Sequence, residues 1–184
     1  MLVKNTTYFF LVCILGLVVT GCKKAPNYSK TPSIEFNHLR IINDKVNYSD
    51  SVSIYIKFQD GVGDLGNSPV IPTYLDFFTD IYKKTNGTYV KMTFFDKSPL
   101  VYNGSLPDLS SGMTGPIDGT IRYILAPFDV RLNGNKMPNF PLAADTTQPF
   151  HKNDTLQFHV RIRDRAGNYS NWVQSTDYIV WNTF

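Results

Sequence analysis

The chain has 184 residues, with 18 Lys+Arg against 15 Asp+Glu and a formal net charge of +3. That charge is not concentrated in any stretch, which excludes the basic face a phosphate backbone requires, and no nucleic-acid partner is expected. Glu35 is the sole glutamate and alanine is scarce, whereas Tyr, Phe, Val, Ile and Thr are plentiful, so helix formers are missing and strand formers abound.

Residues 1–21 carry one charge, Lys4, ahead of an apolar run from Tyr8 to Val19. The run is shorter than the ~20 residues a membrane span needs and has the layout of an export signal. It ends in Val19-Thr20-Gly21-Cys22, which resembles the lipobox of bacterial lipoproteins. The resemblance implies cleavage before Cys22, acylation of that cysteine and a lipid-anchored place in the cell envelope, at the outer membrane. Cys13 falls within the removed segment, so Cys22 is the only cysteine left to the exported chain. Two acyl chains make such an anchor stable, at about 0.8 kcal/mol per buried CH₂. Residues 22–32 are polar, hold two prolines and show no periodicity, the composition of a tether.

Removing residues 1–21 leaves 163, and residues 33–184 suit one domain with its own core. About seven strands are expected, over 33–42, 51–59, 74–84, 88–95, 119–125, 155–163 and 171–181. Alternation is clearest in the second, where Val52, Ile54, Ile56 and Phe58 share a face. The sixth repeats it with Leu156, Phe158, Val160 and Ile162. Such strands bury one face and wet the other, as antiparallel sheets do. Asn86-Gly87 between the third and fourth strands is a two-residue hairpin signal. It pairs Thr85 with Thr88, Tyr82 with Lys91 and Ile81 with Met92, so apolar residues meet on one face. The pattern predicts an all-β, immunoglobulin-like two-sheet antiparallel sandwich. In that arrangement the second and sixth strands run in the same direction in opposite sheets, and the third lies beside the sixth. Two connections, 96–118 and 126–154, are longer than ordinary loops and are the expected source of any specificity surface.

Two segments carry a family resemblance. Phe58-Gln59-Asp60-Gly61-Val62-Gly63-Asp64-Leu65-Gly66 resembles the F-x-DGDGD-[IL]-G segment of a lipoprotein family of the Bacteroidota. Arg163-Asp164-Arg165-Ala166-Gly167-Asn168-Tyr169-Ser170-Asn171 is similar to the D-R-A-G-N-x-S-N turn near the C-termini of that family, a turn also common in bacterial immunoglobulin-like domains. The resemblance implies a fold and an anchored location, and no chemistry. Val62 departs from it, standing where the family often has an aspartate.

Asp60, Val62 and Asp64 fall at the first, third and fifth places of a calcium loop. Valine offers no side-chain ligand, however, and no glutamate follows at the twelfth position. A Ca²⁺ site completed by Asp164 competes with a metal-free turn in which Gly61, Gly63, Gly66, Gly167 and Asn168 permit the backbone path; the turn is preferred, and no cofactor is required. His38, His151 and His159 lack metal-ligand spacing, and neither a G-x-S-x-G elbow nor a cysteine nucleophile is present. The chain therefore reads as a non-enzyme. Arg161 and Arg163 on the sixth strand are expected to pair with Asp76 and Asp80 on the third. Phe78 and Phe95, facing each other on the hairpin's polar side, are a candidate binding surface, against the preferred reading in which the long loops fold over that sheet and cover them. The expected function is a membrane-anchored binding or interaction module for a protein or glycan. A carbohydrate-binding accessory lipoprotein of a glycan-uptake system and a hydrolase are the alternatives.

Overall fold

The computed structural model describes residues 25–44, 49–66, 75–94, 96–112, 114–129 and 153–179. The export signal, Cys22, Phe95 and His151 lie outside them. The described chain is all-β, in the order β1 (Ser33–Asp44), β2 (Ser49–Asp60), β3 (Phe77–Thr85), β4 (Thr88–Lys91), β5 (Ile117–Asp129), β6 (Thr155–Ile162), β7 (Val173–Gln174) and β8 (Tyr178–Ile179). They form two antiparallel sheets. One has the order β1-β2-β5, and in the other β4-β3-β6 continues to β7, with β8 also paired to β6.

The alternating apolar faces meet between the sheets. Val52, Ile54 and Ile56 of β2 and Leu156, Phe158, Val160 and Ile162 of β6 are fully buried, joined by Phe77, Ile81, Leu125 and Tyr178. The hairpin has the anticipated register, Thr85 opposite Thr88 and Tyr82 opposite Lys91. Asn86 and Gly87 both take positive φ, at 50° and 82°, which the tight turn demands.

Three expectations about strand extent are corrected. The fourth strand stops at Lys91, where the chain turns through Lys97 and comes back: Leu100 N–H donates to Met92 O, Tyr102 N–H to Thr79 O and Gly104 N–H to Phe77 O. The returning segment occupies the edge of β3 that β4 leaves open and sinks Leu100 and Leu106 into the core. Residues 96–112 thus contribute to the sheet edge and to the core. The last strand is two short pieces, because Ser175 replaces a regular ladder: its N–H donates to Phe158 O at 2.8 Å and its hydroxyl oxygen accepts Phe158 N–H at 2.9 Å. β5, conversely, runs beyond the expected 119–125 at both ends.

β2 and β6 run the same way in opposite sheets, so both end at one pole of the sandwich, here called the base. Ile117 of β5 pairs with Asp60 there, and Phe77 of β3 pairs with Ile162. At the opposite pole lie the ends of β1 and β5, the Asn86-Gly87 turn and the start of β6.

Candidate functional site

The base is built from the turns that follow β2 and β6. Asp60 is fully buried, and its carboxylate accepts the backbone N–H groups of Val62 at 3.3 Å, Gly63 at 2.9 Å and Asp64 at 2.9 Å. Asp164, also fully buried, accepts Asn168 N–H at 2.7 Å and the Asn168 side-chain amide at 2.8 Å. Short aspartate side chains capping their own turns offset the loss of the strand ladder. The two turns are then fastened together, with Leu65 bridging Asp164 and Arg165 N–H donating to Asp64 O at 3.0 Å. Segments about 100 residues apart in sequence therefore converge, as the parallel course of β2 and β6 requires.

Asp60, Asp64 and Asp164 are together, yet they do not make a cation cradle. The oxygens of Asp60 and Asp164 are already taken by backbone and amide donors, and Val62 points outward, 43% exposed. Among the described residues no group of three or more His, Cys, Asp or Glu side chains is placed to hold a metal ion. The carboxylates of Asp60 and Asp164 cap their own turns, whereas Asp64 Oδ1 is buried with no hydrogen-bond partner among the described residues. Burial, followed by the charges of Asp164 and Asp60, pushes the Asp64 carboxyl above its ordinary range, although it accepts the Ala166 N–H.

The glycines matter through close approach. Gly61 N–H donates to Ser29 O at 2.8 Å, and a Cβ on Gly61 would lie 2.5 Å from Tyr28 O. The expected tether is thus docked against the base. Gly66 has φ of +93° with Pro107 O only 1.9 Å from where its Cβ would stand, which lets residues 106–110 close over the β2 turn. Near the start of β1, the Asn171 side chain accepts Ile34 N–H and donates to Ile34 O, each at 2.9 Å. Gly63, Gly167 and Asn168 contribute backbone donors to the same capped turns.

On the outer face of the larger sheet, Arg161 lies opposite Phe78, and the expected ion pair with Asp80 is not formed. Asp80 instead holds Lys91 at 2.6 Å. The Arg161 guanidinium sits 4.1 Å from the Tyr169 ring centre and 4.6 Å from that of Trp172. Arg163 lies between Phe78 and Tyr169, at 5.5 and 5.7 Å. Guanidinium planes stacked on ring faces gain quadrupole attraction that an isolated aromatic lacks. Tyr169 and Trp172 remain 40% and 43% exposed. Phe78 is half-buried in this cluster, whereas its expected partner Phe95 lies outside the described residues. The Gly167 turn pairs Tyr169 with Arg163, a register the sequence could have yielded had that turn been read as a hairpin.

Asp76, expected on the outer face, is fully buried. One carboxyl oxygen accepts Leu106 N–H at 2.6 Å; among the described residues the other has no hydrogen-bond partner. Burial pushes its pKa up to about 6, against the lowering effects of the Leu106 N–H, its own N–H and Arg163.

A shallow pocket of about 350 Å³ on the outer face of the smaller sheet includes Glu35, Lys57, Gln59 and Asp118. Its carboxylates stand in solvent, Glu35 at 3.9 Å from Lys57 and Asp118 accepting the Tyr28 hydroxyl. Comparison of the chain with protein-family models, with curated proteins and with solved structures returns no match.

Proposed function

We propose that the chain is a lipid-anchored protein of the cell envelope whose sandwich is a binding module, held by its base and presenting its far pole to another envelope component. One observation supports this reading above the others: the segment leading from Cys22 is fastened to the base, through Gly61 N–H to Ser29 O and through Ile34 to Asn171. A domain tied down at one pole offers the opposite pole to partners. Asp129 and Asn153 both lie at the far pole, and the sequence that joins them is long enough to supply a contact surface. A sugar could stack on Tyr169 and Trp172, and a glycan ligand is the second reading those rings favour. Their place at the base, beside the tether, makes them a poor outward-facing site.

Two experiments test the proposal. Cys22→Ser moves the protein from the membrane to a soluble fraction or leaves it unprocessed; unchanged membrane attachment refutes the anchor. A photo-cross-linking residue in place of Asn86, exposed at the far pole, yields an adduct in intact cells, whereas one replacing Asp118 at the base does not. Adducts from Asp118 alone would reverse the orientation.

A further inference from the structure

Four exposed apolar side chains crowd the base. Val62 is 43% exposed at the tip of the β2 turn, Leu75 is 40% exposed just before β3, and Tyr169 and Trp172 follow β6 at 40% and 43%. Leu75, Tyr169 and Trp172 are knit into one patch by two arginines. Arg163 donates to Leu75 O at 2.7 Å and stacks near Tyr169, and Arg161 lies between Tyr169 and Trp172. The patch reaches the root of the tether, since Trp172 adjoins Asn171, whose side chain clasps Ile34. Of the exposed acids at this pole, Asp108 pairs with Arg165 at 3.6 Å, Glu35 lies 3.9 Å from Lys57 and Asp118 accepts the Tyr28 hydroxyl.

From this placement we infer that the base is itself a membrane-contacting surface, with Trp172 and Tyr169 seated at the phospholipid interface and Arg161 and Arg163 toward the headgroup phosphates. The inference rests on the lipid-anchor reading and deepens it. Its occupant follows from chain length. Tyr28, whose hydroxyl donates to Asp118, is the first residue held at the base. It is six residues from Cys22, a stretch that spans at most about 22 Å fully extended, whereas the 12 residues of β2 put the far pole about 40 Å away. An acylated Cys22 therefore holds this pole, and no other, within reach of the lipid surface. Aromatic residues with one apolar and one polar end favour that interface, and arginines reach from it to phosphate. Tethering supplies an effective concentration in roughly the millimolar range, so a patch too weak to bind a free membrane is sufficient here.

The test uses the full chain, acylated in a bacterial host and reconstituted into phosphatidylethanolamine–phosphatidylglycerol vesicles whose phosphatidylglycerol is brominated on its upper acyl carbons. Two tryptophans are present, Trp172 and Trp181, so Trp181→Phe leaves Trp172 as the reporter. Its emission falls by about half or more against unbrominated vesicles, as expected of an interfacial ring. A Thr88→Trp reporter at the far pole, with both native tryptophans replaced by phenylalanine, is unaffected. In the unaltered chain, amide exchange over residues 165–175 slows on vesicles relative to detergent, which gives a readout independent of those substitutions. Protein that floats with the vesicles but shows no Trp172 quenching overturns the seating and leaves the anchor intact. Equal quenching of both reporters overturns the base-down orientation. Trp172 emission that ignores brominated lipid and responds instead to added polysaccharide, or to protein concentration, assigns the patch to sugar or to a second copy and overturns the inference. Acylated protein that fails to float refutes the anchor and the seating together.

Discussion

Asp76 offers the sharpest test of the packing argument. Its carboxyl is fully buried, with one oxygen on Leu106 N–H at 2.6 Å and the other without a partner among the described residues. Burial moves its pKa from 3.8 to about 6, so the folded protein holds this proton more tightly than the unfolded chain. Between pH 4 and 6 the folded state binds more protons, and stability must fall as pH rises through that window, levelling above it. At about 1.36 kcal/mol per pH unit the full loss, counted from below both pKa values, is about 3 kcal/mol. In Asp76→Asn the side-chain oxygen still accepts Leu106 N–H but nothing titrates. Urea unfolding of both proteins, each carrying Cys22→Ser and lacking residues 1–21, is measured from pH 4 to pH 7.5. The difference between them should shift in favour of the variant by about 2.4 kcal/mol from the acid to the neutral end, or roughly 5–10 °C in Tm for a domain of this size. Taking the difference removes groups common to both. Among them is His159, whose pKa burial depresses against the pull of Asp80 and which acts in the opposite sense near neutrality. A difference that stays flat across that range would refute the buried, proton-holding carboxyl.

Three further outcomes follow from the same packing. Phe158→Ala empties the centre of the fully buried β6 face and should cost about 3–5 kcal/mol in urea unfolding; a loss under about 1 kcal/mol would contradict the core assignment. Gly61→Ala puts a Cβ 2.5 Å from Tyr28 O, so the tether must lift from the base, and limited proteolysis should cut within residues 23–32 markedly faster while the sandwich survives. Asp64→Asn removes a carboxylate destabilised by burial and by Asp164 and Asp60, and should raise Tm at pH 7, with Ca²⁺ leaving Tm unchanged in both proteins. A calcium-dependent rise in the unaltered protein that the variant lacks would restore the metal reading.

Local periodicity made much of this protein legible. Two-residue alternation in β2 and β6 marks faces that bury wherever the strands are placed, and the geometry of Asn86-Gly87 forces one register on the hairpin, so core and pairing could be written down from short windows. The meeting of Asp60 and Asp64 with Asp164 followed from strand direction alone. What only the tertiary structure decided are polar fates set by distant segments. Asp76 reads as an outward residue until Leu106, 30 positions on, closes over it. Arg161 reads as half of an ion pair until the turn after β6 brings Tyr169 and Trp172 to its guanidinium. The tether reads as free until Gly61 N–H takes hold of Ser29 O, 32 positions away. Alternation tells which side of a strand is apolar; whether a polar group on the other side meets water, a ring or a backbone donor depends on which remote segment arrives to cover it.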